Sequence, residues 1–184
     1  NMGGGTAEIA IISLGQLVAY KTVRVAGTKI DEAIMQHLRK KHNVVVGERT
    51  AEEVKVKIGS ALIEEGEGYV ERTTEVRGRD IQTGLPRILE IGEKSINEGI
   101  QKPLKQILEG IKEVLGMAPP ELAADIVDKG IVLSGGTALL HNLNKYITYY
   151  TGVSAFVVED PLFCVIRGVG VTVENLDSFK NAIK

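Results

Sequence analysis

The sequence predicts an α/β fold: a mixed sheet flanked by helices, with a small α+β subdomain inserted into it. Three observations carry this. The first forty residues read as a hairpin feeding a helix. The stretch after residue 118 alternates helix and strand, and a segment of different pattern lies between the two. The simplest arrangement is one interrupted sheet. Residues 1–40 and 118–184 then share a larger subdomain, residues 41–117 form a smaller one, and right-handed crossovers set the late strands parallel.

The elements follow in order. Residues 6–13 form an isoleucine-rich strand, Leu14-Gly15-Gln16 turns it, and residues 17–26 return. After Gly27, Thr28 and Asp31 have the spacing of a helix-capping box. Ile30, Ala33, Ile34 and Leu38 make an apolar stripe, and Arg39-Lys40-Lys41 suit the carbonyl end. Thr50 and Glu53 repeat the box before Val54, Ile58 and Leu62. Residues 69–76 and 87–91 read as antiparallel strands around Thr83-Gly84-Leu85-Pro86. Residues 94–115 are helical, with a kink or break expected at Pro103. Past Pro119-Pro120 come a helix over 121–128, a strand over 131–133, a helix over 138–149, a strand over 155–158 and a helix over 162–173. The tail after Glu174 reads as a surface appendage.

Composition narrows the function. The chain has 184 residues, 43% of them hydrophobic and 25% charged, with a net charge of −2. That balance suits a folded domain and gives no electrostatic reason to expect nucleic acid as a partner. The single cysteine, Cys164, excludes an internal disulfide and fits a reducing cytoplasm. No apolar run reaches the roughly 18 residues of a membrane span.

Two glycine phrases carry the chemistry. Asn1-Met2-Gly3-Gly4-Gly5-Thr6 precedes the first strand, and Leu133-Ser134-Gly135-Gly136-Thr137 follows a later one. Each places backbone where a ligand can approach closely. The first offers consecutive amides and a hydroxyl to an anion such as phosphate, and the second offers a flat backbone surface to a ring. Either phrase alone is more often a tight turn. Together they point to a nucleotide held between two loops, at the carboxyl ends of the strands.

Seven phrases, taken in order, resemble the MreB family of bacterial actin homologues. They are Gly3-Gly4-Gly5-Thr6, the run from Gly47 to Lys55, Glu75-Val76-Arg77-Gly78-Arg79-Asp80, Thr83-Gly84-Leu85-Pro86, Pro119-Pro120-Glu121-Leu122-Ala123, Gly130-Ile131-Val132-Leu133 and Glu159-Asp160-Pro161-Leu162. The resemblance implies an actin/ribonuclease-H-like fold and a filament-forming ATPase. It covers that ATPase's second half only, the subdomains called IIA and IIB. The first domain, with its own phosphate loop and a water-activating glutamate, would lie outside this sequence. A strand is expected to lead into the opening glycine loop.

Site roles follow from the same resemblance. Gly3, Gly4, Gly5 and Thr6 would hold the β- and γ-phosphates of ATP or ADP, with Thr6 also positioning the attacking water. Asn1 stands where the family normally has an aspartate that binds Mg²⁺ through water, and an amide brings no charge to that task. Gly27 matches a glycine that would lie near the nucleotide. Glu52 and Lys55 share a helical face. Such a pair is by itself more often a solvated salt bridge, but here it would bracket the adenosine, glutamate on the ribose and lysine along the base. Gly135, Gly136 and Thr137 match the adenosine loop, with Thr137 where the family more often has a third glycine.

The implied function is the nucleotide-binding half of an MreB-like actin that polymerises into cytoskeletal filaments and supports cell shape. It would self-associate, and it would meet membrane and cell-shape proteins through the other half. The location expected is cytoplasmic, with membrane association at full length. The full protein would be a slow ATPase, and this half alone would be inactive. Two alternatives stand beside it: a filament protein whose ATPase is weakened by Asn1, and half of a sugar or acetate kinase sharing the two-loop site. His37, His42 and His141 lack metal-ligand spacing and read as surface residues. Cys164 reads as core, and Arg77, Arg79 and Arg87 beside Asp80 as a solvated face. The loops at Ile81 to Leu85 and Tyr146 to Tyr150 are candidates for filament contacts.

Overall fold

The opening isoleucines form β1 (Ala7–Ser13), which turns through Leu14 and Gly15 into β2 (Gln16–Val23). Both turn residues have positive φ, 51° and 74°, as a two-residue hairpin following the strand twist requires. The structure, a computed structural model, describes residues 1–179.

Helix α1 (Gly27–His42) buries Ile30, Ile34 and Leu38 of the predicted stripe, leaves Ala33 half-buried, and ends in basic residues before a left-handed Asn43. Its predicted capping box does not form. The first helical N–H groups are met instead by the glycine loop: Gly27 N–H donates to Gly3 O at 3.2 Å and Thr28 N–H to Gly4 O at 2.8 Å. Helix α2 (Glu48–Ile58) begins after Gly47, so Thr50 is already helical and its box is also absent. Glu53 pairs with Arg49 one turn earlier.

Strands β3 (Val44–Val45), β4 (Thr73–Asp80) and β5 (Pro86–Gly92) form an antiparallel sheet in that order. β4 starts later than its sequence pattern predicts. Tyr69 closes a turn with Gly66, and the Tyr69 and Arg72 side chains reach Glu93 instead of joining a ladder. Asp80 accepts the amides of Gln82 and Thr83 and pairs with Arg87, which fixes the hairpin end.

Helix α3 (Glu93–Gly116) runs through Pro103 without a break. Proline inside a helix costs about 3 kcal/mol. Ile96, Ile100, Leu104, Ile107 and Ile111 are all buried on either side of it. At roughly 1.5–3 kcal/mol for each buried aliphatic side chain, packing wins.

The last third contains α4 (Pro120–Lys129), β6 (Ile131–Leu133), a 3-10 turn (Gly136–Leu139), α5 (Leu143–Thr151), β7 (Ala155–Val157), a second 3-10 turn (Pro161–Phe163), α6 (Cys164–Glu174) and α7 (Leu176–Phe179). β6 and β7 are parallel, as the crossover rule requires. The helix expected over 138–149 is divided. His141 O accepts the Ala61 N–H at 2.8 Å, which pins the chain to the segment after α2. The expected tail beyond Glu174 includes α7, and residues 180–184 lie outside the described residues.

Among the described residues the strands form three separate sheets, β1-β2, β3-β4-β5 and β6-β7, and not one interrupted sheet. A groove of about 690 Å³ separates β1 from β6, with Ile9, Ile11, Ile131 and Leu133 on its sides and Ile107 and Ile111 among its lining residues. One hydrophobic core nonetheless joins α1, α2, α3 and α5. Tyr146 belongs to it at 2% exposure, so only Tyr149 and Tyr150 of the aromatic cluster face outward. Cys164 is half-buried and α6 has no buried residue, against the core role expected for that stripe. His37 and His42 are not free surface groups: both rings approach Ser95 Oγ, at 2.9 and 3.1 Å.

Gly110 lets α3 approach the β1-β2 hairpin. A Cβ there would meet Val23 and lie 3.0 Å from Ile9 Cδ1. Gly110→Ala is expected to destabilise the full-length protein by about 1–3 kcal/mol through overpacking, read as a lower urea midpoint at an unchanged slope.

Candidate nucleotide site

The two glycine phrases meet through the backbone of Asn1 and Met2. Asn1 O accepts the Glu8 N–H at 2.8 Å on one side. On the other, Met2 N–H donates to Ser134 O at 2.7 Å and Met2 O accepts the Thr137 N–H at 3.0 Å. The chain therefore passes between β1 and the end of β6 before turning into the glycine loop, which Gly3 N–H closes on Thr6 O at 3.0 Å.

Within that loop the Gly3 and Gly4 carbonyls are engaged, and the amides that follow Gly3 are not. Gly3 O takes the Thr137 hydroxyl at 2.7 Å as well as the Gly27 amide, and Gly4 O takes Thr28. Among the described residues, the N–H groups of Gly4, Gly5 and Thr6 meet no protein acceptor. Successive unpaired amides on one loop form an anion-binding concavity. The fold does not itself require glycine here. A Cβ on Gly5 would have nothing within 4 Å, one on Gly4 would meet only Thr28 Oγ1 at 3.6 Å, and neither residue has positive φ.

Gly135 is a different case. Its φ is 86°, and a Cβ would fall 2.7 Å from Met2 C and 2.8 Å from Asn1 Oδ1. Glycine is needed there for the loops to cross. Gly136 lies beside Leu162 of the second 3-10 turn, whose Pro161 O accepts the Gly135 amide at 2.8 Å. Thr137 is buried, and its hydroxyl points back to the first loop.

Lys55 reaches the same end of the cleft, with Nζ 3.6 Å from where a Gly27 Cβ would stand. Its ammonium lies 2.9 Å from both carboxylate oxygens of Asp31, and the two side chains are only 16% and 14% exposed. Burial raises the Asp31 carboxyl above its ordinary range, and the Lys55 ammonium opposes that rise. Glu52 stands one turn earlier on α2 and is exposed. Asn1 Nδ2 donates to Glu8 Oε2 at 3.2 Å.

The structure thus gathers Asn1, Gly3, Gly4, Gly5, Thr6, Gly27, Lys55, Gly135, Gly136 and Thr137 around one crossing, with Glu52 at the rim. It adds Thr28, Asp31 and Glu8, which sequence reasoning missed. Asp31 resembled a capping acid, and nothing local marks a partner 24 residues away. Among the described residues no group of three or more His, Cys, Asp or Glu forms a metal cluster.

Removing the lysine gives a signed prediction. In Lys55→Met, Asp31 keeps its burial but loses its cation, so its folded pKa rises further above the unfolded value near ~3.9. Above the folded pKa the ionised form carries the full penalty, about 3 kcal/mol for breaking a pair this buried. As pH falls through that pKa, the folded carboxyl takes up a proton and the penalty fades. Urea unfolding of the full-length variant is expected to show a large deficit at neutral pH that shrinks in mild acid.

The family model for MreB/Mbl protein matches residues 1–181. The cell shape-determining protein MreB of Escherichia coli is 43% identical over 177 residues, which cover 96% of this chain and 50% of that protein. The cell shape-determining protein Mbl of Bacillus cereus is 37% identical, covering 96% and 52%. The crystal structure of MreB5 of Spiroplasma citri bound to ADP superposes with a TM-score of 0.89 at 35% identity, covering 96% of this chain and 52% of that one. The same protein bound to AMPPNP gives 0.90 at 34% identity, covering 100% and 54%. The chain spans about half the length of the relatives it matches. With an actin-like α/β fold and a family match along almost its whole length, the chain belongs to the MreB/Mbl family.

Proposed function

We propose that this chain is the nucleotide-binding half of an MreB-like actin that assembles into filaments and supports cell shape. The observation that carries the reading is the row of unengaged amides at Gly4, Gly5 and Thr6, on glycines that the fold does not need. The cell-shape names of the relatives and the ADP and AMPPNP bound to the Spiroplasma citri protein support it.

In this reading the loop amides bind the β- and γ-phosphates of ATP, and the Thr6 hydroxyl positions the attacking water. Gly135 and Gly136 present backbone to the adenine, Glu52 meets the ribose, and Lys55 lies along the base. The Asn1 amide and the Glu8 carboxylate fit a hydrated Mg²⁺, an ion that keeps several of its waters. Bound there, it would neutralise phosphate charge, and Asn1 supplies less of that compensation than a carboxylate. Phosphoryl transfer depends on positioning and charge, so the full-length enzyme is a slow ATPase. This half alone, with one wall of the cleft, turns over little.

The larger subdomain comprises residues 1–40 and 118–184, and residues 41–117 form the smaller one. Head-to-tail assembly uses exposed apolar groups at Ile81, Leu85, Tyr149 and Tyr150. No helix among the described residues is long and apolar enough to cross a membrane. The reading places the protein in the cytoplasm, with membrane contact through the other half.

Gly5→Val tests the phosphate loop. Its Cβ meets no protein atom within 4 Å but stands where an anion would approach. The full-length variant is expected to melt within about 0.5 kcal/mol of the wild type, as a surface change does, and to lose ADP binding by calorimetry. Retained binding would remove this loop from the site. For assembly, Leu85→Asp is expected to raise the critical concentration in sedimentation assays, and unchanged pelleting would exclude that hairpin from the interface.

A further inference from the structure

We propose that Thr137 is a positioning residue for the phosphate end of the site, although it stands in the loop assigned to adenosine. The inference rests on the nucleotide-binding reading above and says how one half of that site is held ready.

A trans peptide is planar, and its C=O and N–H point in opposite directions. The Gly3–Gly4 peptide is therefore aimed by whatever binds the Gly3 carbonyl. Two donors do so: the Thr137 hydroxyl at 2.7 Å and the Gly27 amide at 3.2 Å. With the oxygen turned toward Thr137, the Gly4 N–H faces the opposite side and, like those of Gly5 and Thr6, meets no protein acceptor among the described residues. Glycine on both sides leaves this peptide free to flip, and a flipped peptide would set a carbonyl oxygen against an anion. The Thr137 backbone N–H holds the preceding carbonyl, Met2 O, at 3.0 Å, so one residue clasps two successive carbonyls of the opposite loop.

The threonine side chain is enclosed in this role. Thr137 is 7% exposed, and a Cβ on Gly27 would come within 3.0 Å of its hydroxyl oxygen. The hydroxyl links loops 134 residues apart in sequence. Its effect belongs to the phosphates and not to the ring.

The test separates the two ends of the ligand in the full-length protein. Thr137→Val keeps the branched shape and removes the donor, and Thr137→Ser keeps the donor. ADP binding is read by calorimetry and adenosine binding by ligand-observed NMR. The valine variant is expected to weaken ADP roughly 3- to 10-fold, the value of one neutral hydrogen bond, with serine restoring it. Adenosine affinity is expected to stay within about twofold, since the lost bond acts only on the phosphate loop. Should the valine variant melt early, Thr137→Ala gives the same comparison without overpacking. Equal losses for adenosine and ADP, or no loss for ADP, would overturn the positioning role. A wild-type protein that binds neither ligand would overturn the nucleotide reading itself.

Discussion

Everything at this site depends on a short backbone crossing, in which Met2 bonds to Ser134 and Thr137 while Gly3 receives the Thr137 hydroxyl. These bonds join the start of the chain to a loop 134 residues further on. They also orient the glycine loop, because carbonyls held by donors leave the amides facing away. Closing so long a loop costs conformational entropy, although the cost grows only slowly with length. The shared hydrophobic core offsets it, since α1, α2, α3 and α5 are buried against one another.

Around the crossing, polar contacts fix the neighbouring elements. Lys55 and Asp31 tie α2 to α1 through a largely buried ion pair. Its value lies more in geometry than in stability, because desolvation consumes much of the attraction. At the start of α3, Glu93 is 5% exposed and accepts Tyr69 Oη at 2.7 Å and Arg72 Nε at 2.6 Å. Burial pushes its carboxyl up, but these hydrogen bonds outweigh that and hold it below the ordinary range. The segment between α2 and β4 is thereby fastened to α3, and through His141 to the turn before α5.

Long amphipathic patterns were legible in the sequence. The stripes Ile30-Ile34-Leu38 and Ile96-Ile100-Leu104 are buried as their spacing requires. Local signals proved weaker than distant partners. Both capping boxes failed because loop carbonyls or an earlier start replaced them. Pro103 did not break α3, because its cost is local while the packing spans the helix. Tyr146 is core, for an aromatic residue in a cluster gives no sign of which way its helix faces. The glycine phrases were visible as motifs, yet their different reasons were not. Gly135 is required by the crossing, and Gly5 is required by nothing in the protein.

The sequence by itself determined the order and type of most elements and the residue classes of the site, since periodicity and glycine content are local properties of the chain. The family resemblance was legible there too, because its phrases are contiguous. Only the tertiary structure decided that Asp31 partners Lys55, that Thr137 turns toward Gly3, and that the strands divide into three sheets. The first two join residues far apart in sequence, and the third depends on which strands lie side by side. Side-chain direction and strand adjacency are set by packing across the whole core, where many weak contacts together outweigh any local preference.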